Sequence, residues 1–164
     1  MLWTFYALVI STGVVFVGTM LEFCLVPRPH RLVVSLIGVM LFIATHILRL
    51  NAIRALDSFW SLHIEIRDSQ ALVQEGVYRY IRHPAYASFI LEHLAVPLFG
   101  NAWWSLGAAL LIYVPVLLVR IRFEEEAMIG KFGDQYREYR RKTGTLIPHL
   151  SALANLCKAR PAAS

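Results

Sequence analysis

Leu2 to Val26 is an apolar run broken only by Glu22, and it reaches the roughly 20 residues a helix needs to cross the hydrocarbon of a bilayer. Three further apolar blocks follow: Leu32 to Leu50, Tyr86 to Phe99 and Trp103 to Ile121. They are separated by the breaker Pro27-Arg28-Pro29-His30-Arg31 and by the turn signal Gly100-Asn101. Hydrophobic residues make up 57% of the 164, and they come in blocks, not at the spacing of a soluble core. The chain therefore reads as an all-α integral membrane protein of about four transmembrane helices in two hairpins. The first block has no basic flank, is too long for the core of a signal peptide and ends in no small-x-small site, so it reads as a retained span.

Polar residues concentrate in two segments, 51–85 and 120–149. The organisation that follows is an N-terminal hairpin at 1–50, a core at 51–150 and a loose tail at 151–164. Arg49, Arg54, Arg67, Arg79 and Arg82 flank the middle segment, and Arg120, Arg122, Lys131, Arg137, Arg140, Arg141 and Lys142 follow the last block. Lys and Arg mark cytoplasmic flanks, so both segments are expected on that side, with Arg28 and Arg31 discordant. The net charge of +5 is accounted for by topology and anionic headgroups, and nucleic acid is not needed as a partner. Cys24 and Cys157 offer neither a disulfide framework nor metal-ligand spacing.

The densest polar stretch is Gly76-Val77-Tyr78-Arg79-Tyr80-Ile81-Arg82-His83-Pro84-Ala85-Tyr86, immediately before a span. Pro84 disfavours helix at His83, so the backbone there is expected to be extended or turned, with N–H and C=O groups to offer a ligand. An interfacial belt of Tyr and Arg anchors explains the same residues. A second constellation, Arg120, Arg122, Glu124, Glu125 and Glu126, opens where the last block ends. Three consecutive carboxylates at a membrane edge call for cations. Arg120 and Glu124 stand one helical turn apart and can simply pair. Successive residues of a helix face different directions, so one glutamate can face a site while another faces solvent. The chain then reads as one charged helix from Arg120 to Lys142. His46, alone in the second block, reads as an interhelical donor. Glu92 and His93 are ionisable groups within a short apolar block and default to a functional or cavity-lining role. Trp103 and Trp104 read as belt anchors, and Tyr136 and Tyr139 as packing or pocket residues.

Leu72-Val73, Gly76-Val77-Tyr78, Arg82-His83-Pro84-x-Tyr86, Arg120-x4-Glu125, Phe132-Gly133-x-x-Tyr136-x-x-Tyr139 and Pro148 together resemble the isoprenylcysteine carboxyl methyltransferase family and its phospholipid-methyltransferase relatives, over roughly residues 56–150. The resemblance implies a helical membrane bundle whose last hairpin and cytoplasmic flanks enclose S-adenosylmethionine. It implies that His63, His83, Pro84 and Tyr86 line the cofactor pocket, with Arg82 and Tyr136 as further members. Arg120 and Glu125 match the catalytic Arg and Glu near the reacting group. Ser88 stands where a Gly usually follows the Tyr of the His-Pro motif, and Glu92-His93 replace aromatic or neutral residues. These departures bear on the acceptor, which the resemblance gives as a prenylated or other lipophilic molecule. The chemistry agrees: a sulfonium donor with a zwitterionic tail calls for a carboxylate or aromatic faces and for hydrogen-bond donors. Methyl transfer is an in-line displacement that rests on positioning and on exclusion of water. Arg-His-Pro-x-Tyr also occurs in membrane reductases of the sterol reductase type, which would take NADPH; Arg120-x4-Glu125 and Phe132-Gly133 speak against that reading. The expected location is a bacterial inner membrane or the endoplasmic reticulum, with the active site on the cytoplasmic side.

Overall fold

In the first helix the residues that become buried are the small and polar ones. Thr4, Ser11, Val15, Thr19 and Glu22 recur at helical spacing and form the inward stripe of α1 (Leu2–Leu25), whereas Tyr6, Ile10, Val17 and Met20 point outward. The same inversion holds in α2 (Leu32–Leu56), which buries Gly38, Thr45 and Ala52 and exposes Leu36, Met40, Ile43 and Ile47. So wide an apolar surface is untenable in water and natural in lipid, where helices associate through small and polar residues.

The computed structural model describes residues 2–56 and 72–149. After α2 come a 3₁₀ turn (Gly76–Arg79), α3 (Pro84–Phe99), α4 (Trp103–Ala108), a π turn (Ala109–Tyr113), α5 (Val114–Phe132) and α6 (Asp134–Lys142). The stretch from Trp103 to Phe132 is one helix of 30 residues; with α1 and α2 it gives, among the described residues, three helices long and apolar enough to cross a membrane. α3 has 16 residues, about 24 Å at 1.5 Å per residue, and falls short of the bilayer core.

Three expectations are revised. The charged helix from Arg120 to Lys142 is broken, because Gly133 takes φ +55° and turns the chain between α5 and α6. α2 runs six residues past Leu50, to Leu56. The expected first hairpin is a hairpin in connection only, since α2 packs chiefly on α3 while α1 lies against α3, α4 and α5. Gly38 is the physical reason. A Cβ there would stand 2.5 Å from the Phe99 nitrogen and 2.8 Å from the Ala95 carbonyl oxygen, so only glycine lets the two backbones come this close. Ser35 Oγ donates to the Phe99 carbonyl (2.9 Å) and Thr45 Oγ1 to the Ser88 carbonyl (3.4 Å), which stitches the same seam.

Glu22 explains its own place in an apolar run. Its carboxylate accepts from the backbone N–H groups of Trp104 (3.1 Å) and Ser105 (2.9 Å), capping the last span, and it pairs with Arg28 at 2.7 Å. The discordant Arg28 is thereby accounted for. The π turn precedes Pro115, which has no N–H for the Leu111 carbonyl; Val114 N–H reaches back five residues to Ala109 instead. The Tyr113 ring at this turn stacks on His93 at 3.5 Å and 11°.

Candidate functional site

The polar end of the bundle is organised around Arg82. It lies on the short extended segment between the 3₁₀ turn and α3, where Pro84 occupies the first turn of the helix. Ile81 forms an isolated parallel bridge with Gly144. Arg82 N–H donates to the Gly144 carbonyl (2.8 Å) and His83 N–H to the Thr145 carbonyl (3.0 Å). The backbone at His83 is non-helical (φ −124°, ψ 61°), as Pro84 demands, but these two N–H groups are held by the chain's own C-terminal segment and not offered to a ligand. Gly144 is needed for the turn that follows: a Cβ there would meet the Ile147 carbonyl oxygen at 1.8 Å.

The Arg82 side chain is buried, and each of its five N–H donors has an acceptor. Nε and Nη2 donate to Glu125 Oε1 (2.9 and 2.7 Å), Nη2 also to Thr145 Oγ1 (2.7 Å), and Nη1 to the carbonyls of Arg140 (3.0 Å) and Thr143. Glu125 is equally occupied. Besides Arg82 it meets His83 Nε2 at 3.2 Å and Arg140 Nε at 3.3 Å, with 8% of its side chain exposed. One ion pair thus ties the start of α3 to α5 and to the end of α6.

Beside this lock runs a second chain of groups. Arg120 Nε donates to the Tyr86 hydroxyl (3.1 Å), which donates to Glu124 Oε2 (2.6 Å). Arg120 is 3% exposed, its Nη1 reaches Thr4 Oγ1 at 3.4 Å, and its guanidinium lies 6.0 Å from the centre of the Phe5 ring. Glu124 keeps 30% of its side chain exposed and stands 4.0 Å from His83 Nδ1. Of the two carboxylates Glu124 is the accessible one. Sequence reasoning weighed it only as a partner for Arg120, and Thr4 gave no signal beyond being polar within an apolar run.

α6 closes the end. Tyr139 donates its hydroxyl to the Tyr78 carbonyl (2.6 Å), and Tyr136 packs edge-on to Tyr139 with both rings buried. Burial raises the phenol pKa of Tyr78, Tyr136 and Tyr139, with Glu124 adding to the effect at Tyr78 and Glu125 at Tyr136. A cleft of about 530 Å³ opens at this end between Gln74, Glu75, Gly76, Arg79, Tyr139 and Lys142. His63 lies outside the described residues. The other sequence candidates, Arg82, His83, Pro84, Tyr86, Arg120, Glu125 and Tyr136, come together at one end.

Glu92 and His93 do not join them. Glu92 pairs with Arg49 of α2. His93 Nδ1 faces the Phe89 carbonyl (2.8 Å), an acceptor only, so Nδ1 carries the hydrogen and Nε2 accepts from the Thr12 hydroxyl (3.0 Å). His46, read as an interhelical donor, is exposed and bonds the Phe42 carbonyl of its own helix (3.0 Å).

Residues 36–130 match the isoprenylcysteine carboxyl methyltransferase family. The methanethiol S-methyltransferase of Mycobacterium tuberculosis is 36% identical over 74 residues, 44% of this chain and 28% of that protein. The protein-S-isoprenylcysteine O-methyltransferase of Xenopus laevis is 31% identical over 134 residues, 73% of this chain and 42% of its own length. The solved structure of a eukaryotic intramembrane Ras methyltransferase, an isoprenylcysteine carboxyl methyltransferase, superposes with TM-score 0.73 at 26% identity, over 87% of this chain and 52% of that one. The chain spans less than half the length of these two curated relatives. The matched region holds the seam between α2 and α3, the Arg82–Glu125 lock and the Arg120–Tyr86–Glu124 chain, and by that match the protein belongs to the isoprenylcysteine carboxyl methyltransferase family.

Proposed function

We propose that this chain carries out S-adenosylmethionine-dependent methyl transfer to a lipophilic acceptor at the cytoplasmic edge of a membrane, with α3 as a fourth, short span. The observation that carries this reading is the Arg120–Tyr86–Glu124 chain: a buried cation and a part-exposed anion linked through one hydroxyl, brought together from α3 and α5. The residue types fit the donor. Glu124 offers an accessible carboxylate to a sulfonium or ammonium group; the cleft of about 530 Å³ at the same end is lined by Gly76, Arg79 and Tyr139 and not by the Arg120–Tyr86–Glu124 chain. When bound, S-adenosylmethionine supplies the electrophilic methyl group.

The chain's own residues position and shield. Arg120, desolvated between Thr4 and Phe5, would hold an acidic or electron-rich group of the acceptor in line. Tyr86 fixes the Arg120 guanidinium and the Glu124 carboxylate relative to each other. The Arg82–Glu125 pair, with no donor of Arg82 left over, serves to hold α3, α5 and α6 in register. In this reading Glu124 takes the ligand-facing role in place of the catalytic one expected of Glu125, and Arg82 is a positioning residue in place of a pocket one. The names of the relatives divide between a small thiol and an isoprenylcysteine, so the donor side is the common element and the acceptor is the variable one.

The experiment is S-adenosylhomocysteine binding to detergent-purified protein, followed by thermal stabilisation, beside methyl transfer from labelled donor to a lipid extract. Stabilisation by S-adenosylhomocysteine and none by NADPH is expected; the reverse result refutes the proposal. Arg120→Ala and Arg120→Lys are expected to lose turnover by orders of magnitude while donor binding persists, since an ammonium does not reproduce a two-pronged contact. Glu124→Gln is expected to weaken donor binding itself.

A further inference from the structure

Arg49 and Glu92 face each other across the seam between α2 and α3, away from the candidate site. Arg49 lies seven residues before the end of α2 and Glu92 eight residues after the start of α3, which places both about 10–12 Å along the helices from the polar end. The outer face of α2 at this level carries the exposed apolar Ile43, Ile47 and Leu50. Long side chains at such a depth usually extend toward the headgroups. Arg49 instead folds onto α3: Nη2 meets Glu92 Oε2, Nε donates to Ser88 Oγ (3.3 Å), and the guanidinium lies over the Phe89 ring at 4.7 Å.

This leaves the pair half-used. Among the described residues, Arg49 Nη1 and Glu92 Oε1 have no hydrogen-bond partner, while 23% of the Arg49 and 17% of the Glu92 side chain remain exposed. A closed intramembrane lock would bury both and satisfy both, because hydrocarbon offers no water to replace missing partners. The open groups are complementary in kind: N–H donors on one side and a carboxylate oxygen on the other, on two side chains that are both partly exposed. Ser88 Oγ accepts from Arg49 and donates to the Ala85 carbonyl (2.6 Å), and so holds the guanidinium in place.

We propose that the Arg49–Glu92 pair is a lateral binding site for the head of a zwitterionic amphiphile. Its anionic oxygens meet the free guanidinium N–H groups of Arg49, and its ammonium N–H groups meet Glu92 Oε1. The Phe89 ring, which also stands 6.3 Å from Tyr86, lies between this head site and the Arg120–Tyr86–Glu124 chain. An amphiphile seated here is therefore within two helical turns of Tyr86, along the membrane-facing side of α3. The proposal does not depend on methyl transfer.

The test measures melting of the purified protein in mixed micelles containing equal fractions of dioleoylphosphatidylethanolamine, dioleoylphosphatidylcholine or dioleoylphosphatidylglycerol. The ethanolamine lipid carries both anion and N–H donors, the choline lipid lacks the donors and the glycerol lipid lacks the cation. The melting temperature is expected to rise by several degrees more with ethanolamine than with either other lipid. The double variant Arg49→Met/Glu92→Met, whose apolar pair replaces the salt bridge without leaving a lone charge, is expected to lose that preference. Equal shifts for the three lipids in the unaltered protein overturn the proposal, and so does an ethanolamine preference that survives in the double variant. The first comparison needs no variant, so a failure of the double variant to fold leaves the proposal falsifiable.

Discussion

Replacing Arg82 by Met removes a side chain that joins three segments. Five hydrogen bonds go with it, two of them to the Glu125 carboxylate. Removing one partner of a buried ion pair costs about 3–5 kcal/mol when the other charge is left alone. Glu125 is not left alone, because His83 Nε2 and Arg140 Nε still reach it, and the carbonyl of the exposed Arg140 can take water in place of the donor, whereas that of the buried Thr143 loses its partner. The partners that remain to Glu125 lower the cost and the orphaned Thr143 carbonyl raises it, so the expected loss for Arg82→Met stays within about 3–5 kcal/mol. Arg82→Lys is expected to recover less than half, since three donors on one ammonium cannot serve acceptors spread over Glu125, Thr145 and two carbonyls. The assay is unfolding by sodium dodecyl sulfate titration in mixed micelles, followed by tryptophan fluorescence. Combined with Glu125→Gln, it gives a double-mutant cycle with a coupling of about 1.5–3 kcal/mol. A loss below about 1 kcal/mol for Arg82→Met, the range of an exposed pair, would refute the reasoning that Arg82 is the lock of this end.

Gly38→Ala places a methyl against the Phe99 nitrogen and the Ala95 carbonyl, and it is expected to destabilise by about 1–3 kcal/mol in the same titration; Gly107→Ala, with open space around it, is the control and is expected to be neutral. Glu22→Ala removes the cap of α4 and the partner of Arg28, with an expected cost of about 1–2 kcal/mol and faster hydrogen exchange at Trp104 and Ser105. Because burial raises the folded-state pKa of Tyr78, Tyr136 and Tyr139 above the ordinary phenol value, their contribution to stability is complete below pH about 10 and is lost as pH rises above it; phenolate absorbance of the folded protein is expected to lag behind that of the denatured protein. A cysteine at His30, exposed in the loop between α1 and α2 whose Arg31 N–H donates to Asn101 Oδ1, is expected to be labelled from outside intact cells in a background without Cys24 and Cys157, and labelling only after lysis would overturn the proposed orientation.

The helices themselves were legible from the chain alone, because span length and block hydrophobicity are properties of contiguous sequence. The run from Leu2 to Val26 became α1, and Pro84 and Gly100 bounded α3. The candidate site residues could be picked out by their order along the chain, and Arg82-His83-Pro84-x-Tyr86 and Arg120-x4-Glu125 sit together at one end of the bundle. Which glutamate is tied down and which remains accessible was not legible, since Glu124 and Glu125 are the same residue type one step apart. Only the packing of α3, α5 and α6 turns Glu125 into Arg82 and leaves Glu124 on Tyr86. The partner of each span was hidden for a similar reason. In lipid no hydrophobic gradient marks the inner face, so the choice of α3 over α1 as the neighbour of α2 rests on Gly38, on the few hydroxyls along that seam and on the Arg49–Glu92 pair. Local sequence decides what can be a helix and what must be a turn. Long-range contact decides which polar groups satisfy one another, and with them which are left to meet a ligand.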